Sequence, residues 1–283
     1  MREKGALNAL CKFFEGRYIE DITYRDVQAF MDSEAKRGLS KDTVESKRKT
    51  LVQIFQFAIG DGIKTASGAN PAQNSRLTNN GYEIDGTIPL TFDEFRSIIE
   101  NVSQIEDSQT QLAIALLALT GMRREELLGL KWTDIDMGEK TIHIQRAIIY
   151  PNGAPEEAPP KSKAGNRLIP IDSKLESILK GHQQDVGNVI CNENGGYLTE
   201  SQTEKLLASI RFATGIDRID CHVFMTTYAT MMAASGRIPA KNLQIIMGHS
   251  SIKVTMDIYA KAEKMLIGIN RNVLSELLTA VAN

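Results

Sequence analysis

Four side chains in this sequence invite a chemical reading. Arg123 stands in the string Thr120-Gly121-Met122-Arg123-Arg124-Glu125-Glu126-Leu127, after an apolar run from Leu112 to Leu119. Gly121 permits a tight turn there, and a new helix follows. That spacing predicts Arg123 at a helix N-terminus, where dipole and guanidinium together suit an anion. A planar guanidinium can also grip two phosphate oxygens at once. His222 precedes an apolar helix, and His249 follows Gly248 in a turn whose Ser251 can cap the next helix. Tyr259 lies ten residues after His249, near the end of that helix. Each has a plainer alternative: a surface arginine beside Glu125 and Glu126, a structural histidine, a tyrosine in a core or interface. Taken together they offer an anion grip, two proton-transfer groups and a hydroxyl.

These residues must be held by a largely helical framework. Residues 5–76 read as helices: Leu7, Leu10, Phe13 and Phe14 recur at helical spacing, and Asp21 to Thr23 can cap a second helix carrying Val27, Phe30 and Met31. Ser40 is placed to cap a third, with a face of Val44, Leu51, Ile54, Phe55 and Phe57. Its polar face holds Lys41, Lys47, Arg48 and Lys49, a stripe that either touches phosphates or is simply solvated. Turn residues from Gly68 to Gly81 predict a linker at about 77–88. Thr91 with Glu94 three residues on is a capping-box pattern. Helices are expected over 92–101, 109–119, 173–180, 199–213, 223–235, 240–247, 251–260 and about 262–281. Residues 140–150 alternate as a strand, with Ile142 and Ile144 on one face; Asn152-Gly153 is a turn, and 167–171 a partner strand. The expected architecture is mainly α with a small antiparallel β-sheet, in two domains: a helical bundle over 1–80 and a larger domain over 87–283.

Composition narrows the classes. No run of apolar residues is long enough to span a membrane. The N-terminus lacks an apolar signal stretch, which predicts a cytoplasmic protein. Cys11, Cys191 and Cys221 form no CxxC pair and read as reduced thiols. With four scattered histidines they argue against a structural zinc site. The formal net charge of −2 does not by itself point to nucleic acid.

Order and spacing add what single residues do not. Arginine, about 100 residues, histidine, 26 residues, histidine, 9 residues, tyrosine resembles the catalytic constellation of the tyrosine recombinases, the phage-integrase type. The string ALTGMRREELLGLKWTDID is similar to the first arginine box of that family. CHVFMTTYATMMAASGRIPAKNLQIIMGHSSIKVTMDIYAKA is similar to its second box through to the nucleophile. The resemblance covers about 87–283, and 5–76 is more loosely similar to the family's helical core-binding domain. It implies an enzyme that cuts and rejoins duplex DNA through a 3′-phosphotyrosyl bond, with no metal or other cofactor. Tyr259 is then the nucleophile, Arg123 a stabiliser of the pentavalent transition state, and His222 and His249 aids to proton transfer. The family's hairpin lysine maps to Lys161, with Lys163 the alternative on the same strand face if the strand continues. The implied partner is double-stranded DNA, gripped between the two domains by a homotetramer. The tail helix either docks on a neighbouring protomer or packs on its own domain.

The sequence departs from the pattern in one place that matters. The family's second box reads His-x-x-Arg, and here the arginine position is Met225, followed by Thr226. Methionine supplies neither charge nor donor. Losing one preorganised donor typically costs on the order of 10²–10³ in rate. Either the enzyme is slow or compensated by another cation (Arg237, Arg218 or Lys241), or the chain binds DNA without cleaving it, or the position was altered in an imperfect copy. Many relatives carry a further N-terminal arm-binding domain, whereas this chain begins almost directly with core-binding helices, as a truncated or a naturally short form would.

Overall fold

The computed structural model describes residues 2–39, 41–75 and 87–263, with side chains at 2–4, 41 and 42 set aside. Ser40, most of the expected linker and the expected tail helix beyond 263 lie outside the described residues. The chain divides into two compact units, Met1–Gly86 and Thr87–Asn283.

Among the described residues the first unit holds three α-helices: α1 (Arg2–Phe13), α2 (Tyr24–Lys36) and α3 (Lys41–Gly60). Thr23 caps α2 reciprocally with Asp26, each side chain bonding the other's backbone N–H. Ala6, Leu10 and Phe14 recur every fourth residue, so they form one stripe and are buried. They meet Val27, Phe30 and Met31 of α2 and Val44, Leu51 and Phe55 of α3. Two expected core aromatics behave otherwise. Phe57 is 74% exposed, because two residues past Phe55 the helix has turned most of the way to its far side. Phe13 lies half outside the core and meets the Phe30 ring edge-on at 5.2 Å. The loop after α3 returns to it through Asn70, whose amide donates to the Val52 carbonyl at 2.9 Å.

The second unit is built around a buried helix, α5 (Ser108–Thr120). It packs on α7 (Ser173–His182), α8 (Glu200–Thr214) and α9 (Cys221–Ala234). Before it comes α4 (Phe92–Asn101), capped by Thr91 and Glu94. After it, Gly121 adopts a left-handed conformation, φ +63, and turns the chain into α6 (Arg124–Gly129). A Cβ on Gly121 would sit 2.6 Å from the Tyr228 ring, so the turn must press close to α9. Among the described residues the final elements are α10 (Ala240–Met247) and a helix, α11, described over 252–263.

A three-stranded antiparallel sheet stands beside the helices. Its strands are β1 (Ile135–Asp136), β2 (Thr141–Ile144) and β5 (Arg167–Pro170), in the order β1-β2-β5. Ile142 pairs with Ile169, and Ile144 with Arg167. The strand expected over 140–150 is interrupted. Gln145 and Arg146 both turn to the buried Asp134 carboxylate, which bends the chain before β3 (Ala147–Ile149) pairs with β4 (Glu156–Ala158). The β4 residues Glu156-Glu157-Ala158 carry no apolar alternation, which is why the sequence does not announce them. Among the described residues no helix is long and apolar enough to cross a membrane, and no group of three or more His, Cys, Asp or Glu could hold a metal ion.

Candidate active site

The second unit gathers most of the candidate residues around one buried carboxylate. Glu126, in the first turn of α6, is 3% exposed. It accepts the backbone N–H of Arg123 at 2.9 Å and Arg123 Nη1 at 2.8 Å. It also accepts Arg167 Nη1 and Nη2, both at 2.9 Å, a bidentate pair. Burial alone would push this carboxyl up, but hydrogen bonds and charge from Arg167, then Arg123, bring it below the usual range. One anion therefore serves two cations, leaving the three groups with a net positive charge.

Arg123 is the N-cap of α6 and is half-buried. With only six residues, α6 adds little macrodipole, so the anion grip expected here rests on the guanidinium itself. Arg123 Nη2 donates to the Gly248 carbonyl at 3.1 Å. That bond joins the first arginine to the turn that presents His249, 125 residues later. Gly248 is left-handed, φ +62, and a Cβ there would lie 2.9 Å from the Ala164 carbonyl. Only glycine lets this turn close against the 163–165 segment.

His249 is buried, not exposed as a turn residue would be expected to be. Its Nδ1 shares a 3.0 Å hydrogen bond with Oγ1 of Thr255, itself fully buried on α11. Gln244 Nε2 donates to the His249 carbonyl at 3.0 Å and fixes the turn from α10. Burial, then the charges of Arg123 and Arg167, hold the imidazole down to about 4. His249 is therefore neutral near pH 7, with Nε2 as the nitrogen left for chemistry.

Tyr259 lies one helical turn beyond Thr255 on α11. Its hydroxyl donates to the backbone carbonyl of Ile238, and burial raises its phenol above the ordinary value. Its ring packs on an apolar cluster of Tyr228, Ala229, Leu243 and Met247. Met225 packs on the same cluster. The position that would carry a second arginine thus contributes apolar surface to the cluster on which the tyrosine packs.

His222 lies in the first turn of α9, exposed, below an N-cap formed by Asp220 accepting from the Val223 N–H at 2.7 Å. Lys161 and Lys163 are both exposed. They do not share a strand face: β4 stops at Ala158, and Lys163 opens a 3-10 turn, Lys163–Gly165, so no strand runs through either. Of the three alternative cations, Arg218 is committed to Glu94, with Nη1 at 2.8 Å. Lys241 donates to Gln244 Oε1 at 3.0 Å, one bond removed from the His249 turn. Arg237 is exposed and adjoins Ile238, whose carbonyl holds the tyrosine.

The expected basic stripe on α3 is not a stripe. Lys47 points inward and pairs with buried Glu34. Burial would raise the Glu34 carboxyl, but Lys47 and Arg37 bring it net below its ordinary value. Arg48 is half-buried, clasps Glu45 at 2.6 Å and donates to the Ala72 carbonyl at 3.1 Å. Lys49 is exposed, and the Lys41 side chain is outside those described. Two residues that hold the site, Arg167 and Thr255, went unremarked in the sequence. Arg167 left a trace: it shares the inward face of β5 with Ile169, where an arginine needs a partner.

Comparison with known proteins follows the same lines. The model of the phage integrase family matches residues 89–265. The tyrosine recombinase XerC-like protein of Caldanaerobacter subterraneus subsp. tengcongensis is 28% identical over 274 residues, covering 86% of this chain and 68% of the relative. The ICEBs1 integrase of Bacillus subtilis is 26% identical, covering 85% of this chain and 67% of the relative. Among solved structures, the Tn1549 transposon integrase in complex with a circular intermediate DNA superposes with a TM-score of 0.74 at 21% identity, covering 93% of this chain and 92% of that one. At that identity the likeness speaks for the fold alone.

Proposed function

The chain belongs to the phage integrase family, and from that membership we propose that it is a site-specific DNA recombinase of the tyrosine type, serving a mobile element. The observation that carries the reading is the shared network of Arg123, Glu126 and the Gly248–His249 turn, with Tyr259 on the helix that His249 is bonded to. Relatives named as recombinases and integrases support recombination as the outcome, and a neighbour in complex with DNA supports duplex DNA as the partner.

In the proposed reaction the Tyr259 oxygen attacks the scissile phosphorus as the bond to the 5′ oxygen breaks. The product is a 3′-phosphotyrosyl bond and a free 5′ hydroxyl. The phenol is protonated at neutral pH, so its proton must leave during attack. Neutral His249 accepts it at Nε2 in the tautomer whose Nδ1–H donates to Thr255 Oγ1. Arg123 has N–H groups left after Glu126 and Gly248 to bind a non-bridging oxygen. His222 supplies a further hydrogen bond to the phosphate. Lys161, or Lys163 in its place, gives the proton that the departing 5′ oxygen takes up. The phosphotyrosyl bond conserves the energy of the broken phosphodiester, so a second 5′ hydroxyl can reverse the step. Lys49 and Lys41 remain as backbone contacts of the first unit, and assembly as a tetramer on DNA accompanies the reading.

A second reading is motivated by Met225: a relative that binds its site without cutting it. A nicked suicide duplex carrying the recombination site separates the two. The expected result is a covalent protein–DNA adduct mapped by mass spectrometry to Tyr259. Adduct that persists in Tyr259→Phe would sink the recombinase reading. Tight, salt-dependent binding with no adduct in wild type, restored in Met225→Arg, would favour the second.

A further inference from the structure

We propose that Arg167 is a positioning residue for the strand-transfer site, one buried guanidinium that fastens the Lys161 segment and the His249 turn to the carboxylate holding Arg123. This rests on the recombinase reading above. Arg167 is the first residue of β5, and its side chain is 2% exposed. Its Nε donates to the Ile246 carbonyl at 2.6 Å. Its Nη1 donates to the Gly165 carbonyl at 3.1 Å and to Glu126 Oε1 at 2.9 Å, and its Nη2 to Glu126 Oε2 at 2.9 Å. The partners belong to three separate stretches, α6, the 3-10 turn and the end of α10, so with its own strand β5 the guanidinium ties four together.

Each bond leads to a candidate residue. Glu126 leads to Arg123 through its own bonds. Ile246 lies two residues before Gly248, where a Cβ would come within 3.0 Å of Arg167 Nη1. The turn presenting His249 is therefore seated on the guanidinium. Gly165 leads to Lys161: a Cβ on Gly165 would lie 2.6 Å from Pro160 Cβ, so Pro160 rests on Gly165 beside the lysine. A core that needed only volume here would take an apolar side chain more cheaply, because burying an ion pair is costly to stability. Keeping the charge makes physical sense where alignment of three groups is the gain. The same cation helps to keep His249 neutral.

The test compares wild type, Arg167→Met, Arg167→Lys and the double variant Arg167→Met/Glu126→Gln on the nicked duplex. The double variant leaves no lone buried charge and so guards against simple unfolding. Single-turnover adduct formation is expected to fall on the order of 10²-fold in Arg167→Met and in the double variant. DNA affinity should stay near wild type, with partial recovery in Arg167→Lys. A folded, DNA-bound double variant that forms adduct at the wild-type rate overturns the proposal. So does loss of melting temperature and affinity without loss of rate per bound complex. If wild type forms no adduct, the recombinase reading fails separately. The positioning claim is then decided by NMR of carbon-13-labelled histidine: the His249 titration and its ring shifts should move in Arg167→Met and be largely held in Arg167→Lys. Unmoved signals in Arg167→Met overturn it.

Discussion

Met225 and Tyr259 pack on the same apolar cluster, and neither is fully buried. The position that the family fills with a cation thus carries hydrocarbon, on the cluster that also supports the proposed nucleophile. An arginine there would bring charge toward the phosphate but would give up contacts with the cluster.

Met225→Arg is expected to raise the rate of adduct formation by about 10²–10³-fold, the usual worth of one preorganised donor. Because the position is only half-buried, the folding cost should stay near 1 kcal/mol, within the common range for single substitutions. Single-turnover cleavage and a urea melt check both. A wild-type rate that the variant does not exceed would show that another group already supplies the missing charge.

His249 predicts a pH dependence of stability with a definite sign. Its folded pKa, about 4, lies below the ordinary 6.5. Between these values the unfolded chain binds the proton and the folded chain does not. Stability is therefore full above pH 6.5 and falls as the pH drops toward 4, by up to about 3 kcal/mol. Melting curves of wild type and His249→Gln should diverge in this window, the wild type losing more on acidification. Parallel curves would count against a buried neutral imidazole.

Lys47 and Lys49 should separate cleanly although two residues apart. Removing Lys47 leaves Glu34 buried without its principal partner, a loss of about 3–5 kcal/mol when such a pair is broken. Lys49→Ala should leave melting unchanged and lower the slope of log affinity against log salt by about 0.9, one phosphate contact. The salt titration and the melt together check the pair. An unaltered slope would remove Lys49 from the DNA surface.

Gly248→Ala combines a left-handed backbone with a carbonyl 2.9 Å from the new Cβ. The conformational cost alone is about 1–2 kcal/mol. Displacing the turn should also loosen the Arg123 bond to its carbonyl, so adduct formation should fall further than melting. Equal wild-type and variant rates would show that the turn tolerates the shift.

The fold was legible wherever a local rule operates. Thr91 with Glu94, Gly121 after an apolar run and Gly248 before a histidine each announce a boundary within a few residues, and each stands where expected. Much of the site's support was not legible, because its partners are remote in sequence. Arg167 meets Glu126 across 41 residues and Ile246 across 79. No window of the sequence joins them. Lys47 was misread because its charge was taken as the mark of a polar face, although it stands three residues after Val44 and four before Leu51, on the buried stripe, where Glu34 of α2 pairs with it. The burial of His249 was not legible because it depends on how α11 meets the turn, through Thr255.

The hydroxyl of Tyr259 bonded to the Ile238 carbonyl bears on reversibility. Here the hydroxyl has a partner in its own main chain. In the proposed reaction it must give up that partner before its oxygen can reach phosphorus, and a hydrogen bond given up in this way is worth only about 0.5–1.5 kcal/mol net. Releasing the hydroxyl therefore costs little, and the proposed cut itself exchanges one phosphoester bond for another with little net drop in free energy. A cut that is nearly level with its starting point can be undone as readily as made, which is the condition for strands to be traded and not merely broken.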